Sequence, residues 1–237
     1  MKYILSLFVL LSTSCFGQNY ISIGIGSGIS KGMVVNYLNN LPGTPYETTD
    51  LGIAFGGSLN YEYYFNNGNV GLETEVAVTS MSDVVQRTSE LGFCNSNLVV
   101  VTGPIDRTLV YTQIGTGPTF KFGVTNQFVF GTMFYYGNMV GGNLQLMDNN
   151  NINSTYSATN FYDNNDFGLK LKLCYRYNYS GSGNISYFLD AKSITSYGLN
   201  EIEPLNHAFN LQCTLADGPF FYKTFSSMLM FSFGMSF

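Results

Sequence analysis

The residues with the greatest capacity for chemistry in this chain are its few charges. There are 15 acids, 10 bases and a single histidine, and charged residues make up only 11% of the sequence. Lys170, Lys172 and Arg176 take alternate positions in "DFGLKLKLCYRYNY". Glu62, Glu73, Glu75, Lys121, Asp190 and Lys192 fall on the same kind of position in other segments. Acids and bases nearly balance in this set. Such a set can brace a narrow interior as a lattice of salt bridges, or line a gated proton or ion path. The lattice is the simpler reading, because unpaired buried charges are costly.

Other constellations are weaker. Glu201, Glu203 and His207 are neighbours in "NEIEPLNHAFNLQ", and with a serine such as Ser154 they have the residue types of an acyl-transfer or hydrolytic site. Nothing in the sequence fixes their geometry, and a solvated loop histidine is the simpler reading. One histidine cannot make a zinc site, which takes three or four ligands. "MDNNNINSTY" and "YDNNDF" offer oxygen ligands for Ca²⁺ or Mg²⁺, but neither matches an EF-hand. "GIGSGISKG" lacks the preceding strand and following helix of a dinucleotide loop. "GTGPTFK" lacks the spacing of a phosphate loop. No catalytic residue, cofactor or metal is expected. A net charge of -5 and a pI near 4.7 argue against nucleic acid, which demands clustered Lys and Arg.

The elements that position these charges are strands. "YISIGIGSGIS" puts Ile21, Ile23, Ile25 and Ile29 on one face and Ser22, Gly24, Gly26 and Gly28 on the other. The same alternation runs through "LGIAFGGSLNYEYYF", "NVGLETEVAVTS", "RTLVYTQIGTGPTFKFG", "QFVFGTMFYYG", "DFGLKLKLCYRYNY", "ISYFLDAKSITSYG" and the ending "LMFSFGMSF". That makes eight strands. "NNGN", "VTNQ" and "SGSGN" supply tight turns. Long connections are expected over about 31–50, 81–107, 138–165 and 198–218, so that long and short connections alternate.

Alternation does not say which face is out. Three features favour lipid on the apolar side. The opposite face is read as mostly Gly, Ser and Ala, which suits the tight bore of a small barrel. Aromatics gather near both strand ends, as in interfacial girdles. The strands reach the roughly 10 residues that a tilted membrane strand needs.

The start, "MKYILSLFVLLSTSCFGQNY", has a short basic region, an apolar core and small residues before Gln18. It reads as a secretory signal peptide over 1–17, followed by one barrel domain over 18–237. The rival, a lipoprotein signal acylated at Cys15, has Ser12 where Leu or Val is usual. Removal of the signal leaves Cys94, Cys174 and Cys213. Cys94 and Cys213 fall in long connections on the same side and are the candidate disulfide, joining the second and fourth loops. Cys174 points into the barrel.

The combination resembles the small eight-stranded outer-membrane barrels of Gram-negative bacteria, the OmpX-like and OmpA-like proteins. The likeness lies in the architecture of about residues 18–237 rather than in a unique motif. It implies an all-β, antiparallel, up-and-down transmembrane barrel with short periplasmic turns and long extracellular loops. "FSFGMSF" looks like the family's C-terminal assembly signal, which implies that Phe231, Phe233 and Phe237 are read by the barrel-assembly machinery. The partners implied are outer-membrane lipid, lipopolysaccharide and an unknown extracellular ligand. The expected role is non-enzymatic: surface interaction, adhesion or envelope maintenance. The alternatives are a lipid A-modifying enzyme that uses His207, or a narrow solute channel.

Overall fold

The computed structural model describes residues 17–36, 47–48, 50–66, 68–94, 97–147, 153–160, 164–178, 185–196, 199–200, 213–215 and 222–237. The leader up to residue 16, Glu201, Glu203 and His207 lie outside the described residues.

The strands are β1 (Gly17–Asn36), β2 (Glu47–Thr48), β3 (Gly52–Phe65), β4 (Val70–Cys94), β5 (Asn97–Phe122), β6 (Asn126–Met147), β7 (Asn153–Ser157), β8 (Asn165–Asn178), β9 (Ser186–Ser196), β10 (Leu199–Asn200), β11 (Cys213–Leu215) and β12 (Tyr222–Ser236). Eight of them form a ring in the order β1-β3-β4-β5-β6-β8-β9-β12, and β12 returns to β1. Every pairing is antiparallel. The four short strands extend this sheet at one end: β2 on β1, β7 on β6, β10 on β12 and β11 on β4.

Closure is set by the two chain ends. β1 and β12 pair from Ser22↔Ser236 to Asn36↔Tyr222. Ile21 and Phe237 then exchange both backbone bonds, at 3.1 and 2.8 Å. Closure leaves no edge among these eight strands, so every stave has two partners for its N–H and C=O groups, as a lipid environment requires.

Inward and outward side chains alternate along the staves. In β8, Phe167, Leu171, Leu173, Tyr175 and Tyr177 are exposed on the outer wall, while Lys170, Lys172, Cys174 and Arg176 are buried in the lumen. The same holds in β1, where Ile21, Ile23, Ile25 and Ile29 all point outward. A hydrocarbon surroundings satisfies this outer wall; water does not. Around the short-turn end, outward rings touch one another: Tyr63 with Phe65 at 5.2 Å, Phe122 with Phe130 at 6.0 Å and Phe128 with Tyr175 at 5.4 Å.

Two expectations are corrected. The span 81–107 is expected to be a long connection, but β4 and β5 remain paired far into it, from Ser82↔Thr108 out to Cys94↔Asn97. The β-branched run "NLVVVT" and its antiparallel partner continue the ladder past any need to span a membrane. Likewise β6 continues to Met147 and pairs with β7. A bulge places Val140 outside the pairing between Val110↔Gly141 and Tyr111↔Met139. It switches the inward parity of β6, so that Leu144 joins Met139 in the interior.

The lumen face is also not mainly small. Tyr64, Tyr111, Tyr135, Phe188, Met81, Met133, Met139, Met228 and Met230 are buried there. Several of these aromatics lie over a glycine directly opposite on the next strand: Tyr64 over Gly71, Tyr135 over Gly168 and Phe188 over Gly234. The glycines make the room. A Cβ at Gly168 would stand 2.7 Å from Tyr135 Cε1, and one at Gly234 would stand 2.7 Å from Phe188 Cζ.

Candidate functional site

Among the described residues, charge, burial and geometry converge in the lumen. All nine charges singled out from the sequence are buried in it: Glu62, Glu73, Glu75, Lys121, Lys170, Lys172, Arg176, Asp190 and Lys192. Three more join them: Asp83 and Arg107, from the span expected to be a long connection, and Asp166, from the first position of its strand. Among the described residues the buried charges are therefore six acids and six bases, so the interior is formally neutral.

In the central layers most acids and bases come from opposite walls. Glu62 sits on β3 and Glu73 and Glu75 on β4, whereas Lys170, Lys172 and Arg176 sit on β8 and Lys192 on β9. β3 and β8 are diametrically opposed in the ring, as are β4 and β9. The ion pairs therefore span the bore.

From the short-turn end inward, Lys121 bonds Gln18 and stands 4.1 Å from the ring centre of Tyr64. Arg176 lies 4.3 Å from the ring of Tyr20. Such cation–ring contacts replace part of the hydration that a lumen cation has lost. Glu62 accepts from Arg176 Nη2 at 2.7 Å, from Lys172 Nζ at 3.1 Å and from the Tyr64 hydroxyl at 2.8 Å. Lys172 also donates to Glu73 at 2.5 Å. One layer further, Glu75 accepts from Lys170 at 2.6 Å and from Lys192. Lys192 also reaches Ser58 Oγ at 3.2 Å and stands 3.7 Å from Asp190.

Towards the hairpin end, Asp166 accepts from Tyr135 at 3.0 Å and from Ser196 at 2.6 Å. Asp83 and Arg107, opposite each other on β4 and β5, close the series. Met81, Leu109, Met133, Met139 and Ile194 fill the space between these polar layers. Ala158, in the short helical turn after β7, is fully buried beside Gly142.

Among the described residues, the side chains leave little space at this charge network. A cavity of about 20 Å³ lies against Glu75, Lys170, Lys192, Ser58 and Thr79. That is room for about one water molecule.

The remaining sequence-derived residues are placed as follows. Phe231, Phe233 and Phe237 are exposed on the outer wall of β12 and at its end. Cys174 is a buried free thiol beside Val129 and Phe188. The backbone of Cys213 lies opposite that of Cys94 in the β11–β4 pairing. Ser154 lies on β7, across from Leu146 of β6. No group of three His, Cys, Asp or Glu able to hold a metal occurs among the described residues.

The sequence matches no protein-family model, and a search of curated proteins finds no relative. Solved structures do resemble the fold. The outer membrane protein OprG from Pseudomonas aeruginosa superposes with a TM-score of 0.51 at 12% identity, covering 94% of this chain and 96% of that one. The chain folds as an outer-membrane β-barrel. The outer membrane protease OmpT from Escherichia coli gives 0.46 at 12% identity, over 94% and 97% of the two chains. Ail, the attachment invasion locus protein of Yersinia pestis, gives 0.35 at 17% identity, over 93% and 99%. At these identities the likeness speaks to fold alone.

What the lumen can do chemically follows from its contents. A neutral, cross-braced and filled bore resists collapse and fixes register. A slip of one residue in β8 would turn Lys170, Lys172 and Arg176 to the lipid, at roughly 2–4 kcal/mol each near the bilayer centre.

Proposed function

We propose that the chain is a non-enzymatic integral protein of the bacterial outer membrane that presents the hairpin end of its barrel for surface interaction, adhesion or envelope maintenance. The observation that carries this reading is the filled lumen. With about 20 Å³ free beside Glu75, and ion pairs crossing the bore, the barrel is built as a scaffold rather than a conduit. The β4–β5 hairpin is the largest structure that the scaffold holds out, still paired at Cys94↔Asn97. In this reading the leader over 1–17 directs export. Phe231, Phe233 and Phe237 are read by the barrel-assembly machinery. Membrane lipid and lipopolysaccharide surround the apolar wall, and the hairpin end meets an extracellular ligand.

The test has three arms. In isolated outer membranes, the unheated chain should migrate differently from the boiled chain on a gel. In planar bilayers the purified barrel should give no discrete conductance steps. Cells carrying a hairpin cut back to the Gln86↔Pro104 pair should lose the adhesion that the full chain confers. Conductance steps altered by neutralising Lys170 or Lys172 would replace this reading with a channel. Changed lipid A acyl chains in a deletion strain, restored by the wild type but not by His207→Ala, would replace it with an enzyme.

A further inference from the structure

We propose that Cys94 and Cys213 are joined by a disulfide that fastens β11 to the far end of the β4–β5 hairpin. The pairing of the two strands puts Cys213 opposite Cys94, Thr214 opposite Phe93 and Leu215 opposite Gly92. Residues directly opposite in an antiparallel pair have Cα atoms about 4.5–5.5 Å apart. A disulfide spans about 4.4–6.8 Å between Cα atoms. The backbone thus meets the distance requirement without moving.

Two further features of the fold call for such a link. β5 occupies one edge of β4 out to Cys94↔Asn97, so β11 takes the other edge. Pairing of β4 with β3 ends at Ile53↔Ser82 and the Asp50 N–H carries that edge one step further, to the Val84 carbonyl oxygen; beyond it, among the described residues, β11 alone pairs with this edge of the hairpin. β11 covers the exposed edge with only three residues, and so short a ladder holds weakly by hydrogen bonds alone. A covalent bond at its first residue makes the cover permanent. The third cysteine of the barrel does not compete, since Cys174 is buried in the lumen on β8.

The chemistry balances with an external oxidant. Each thiol gives up one proton and one electron, and the S–S bond forms. The two electrons and two protons pass to a disulfide donor, which leaves as a dithiol. Exported compartments supply such donors. The proposal needs export to an oxidising compartment but no particular role for the hairpin.

The sequence makes the experiment clean. Trypsin separates the three thiols of the barrel domain into peptides 88–107 (Cys94), 173–176 (Cys174) and 193–223 (Cys213), while Cys15 falls in peptide 3–31. The full chain is taken from cell envelopes, denatured, alkylated without reduction, and mapped by mass spectrometry. The expected result is peptide 88–107 linked to 193–223, with 173–176 alkylated. Reduction should raise the alkylated thiols of the mature barrel from one to three. The same mapping is run on purified chain refolded in detergent with oxidised glutathione as the disulfide donor. Linkage there but not in cells would uphold the geometry and count against export. Peptides 88–107 and 193–223 both alkylated in the refolded barrel, or either one linked to 173–176, would overturn the proposal.

Discussion

Arg107 and Asp83 face each other across β5 and β4 and meet in a two-pronged ion pair, Nε to Oδ1 at 2.8 Å and Nη2 to Oδ2 at 2.7 Å. Both side chains are fully buried. Removing one partner strands a charge in a medium that solvates it poorly. Arg107→Ala should therefore destabilise the barrel by about 3–5 kcal/mol. The apolar double variant Asp83→Leu/Arg107→Leu should recover most of that loss, because no charge is left behind. Urea unfolding in detergent, followed by the gel shift between folded and unfolded forms, measures both. Equal stability of the single and double variants would mean that the pair is solvated.

This pair also shows what a sequence can and cannot reveal. Alternation placed Lys170, Lys172 and Arg176 on one face, because period two is a local property of the chain. It could not say that Lys172 reaches Glu62 and Glu73, since those partners sit about 100 residues away on the opposite wall. That choice is set by how the ring closes, and closure is not local. Asp83 and Arg107 were misread for a different cause. Asp83 after Ser80 and Ser82, and Arg107 after Gly103 and Pro104, look like loop chemistry, whereas register with the facing strand keeps both in the ladder. The inward methionines are not legible because Met81 and Met133 carry no polar signal, Met81 standing between serines and Met133 before the aromatic run Phe134–Tyr136. Met is the side chain that fits irregular gaps best.

Lys172 is the hub of the central layer, with Glu62 at 3.1 Å and Glu73 at 2.5 Å. Lys172→Met should be among the most damaging single changes in the lumen. It leaves Glu73 without its ion-pair partner and Glu62 with Arg176 alone. A loss of about 3–5 kcal/mol is expected. Adding Glu73→Gln should return a measurable part of it, because the stranded carboxylate is then neutral. A double-mutant cycle, read as the temperature at which the barrel loses its fast gel mobility, gives the coupling. A cycle that closes at zero would remove the cross-bore tie from this account.

Glycines provide a paired comparison. A Cβ at Gly168 would meet Tyr135 Cε1 at 2.7 Å and the Thr195 carbonyl oxygen at 2.1 Å, whereas a Cβ at Gly141 meets nothing within 4 Å. Gly168→Ala must push Tyr135 out of its seat, and with it the bond from Tyr135 to Asp166. Overpacking of this kind typically costs about 1–3 kcal/mol. Gly141→Ala should change stability by no more than about 0.5 kcal/mol. Folding yields into lipid vesicles should drop for the first variant and hold for the second.

The direction of the two faces has its own test. Leu171 is 49% exposed on the outer wall of β8, between Thr132 of β6 and Ser193 of β9. If that wall meets hydrocarbon, Leu171→Lys sets an ammonium near mid-strand in lipid, at about 2–4 kcal/mol. Val124 is more exposed, at 85%, but lies in the turn between β5 and β6. There Val124→Lys should be close to neutral, because its charge rests in the interface. A water-soluble barrel predicts no such difference: both lysines would be solvated and both variants would fold like the wild type. Folding each variant into vesicles of saturated phosphatidylcholine, and scoring the shifted band, separates the two cases. A Leu171→Lys band as strong as that of Val124→Lys would mean that the outer wall meets water rather than hydrocarbon.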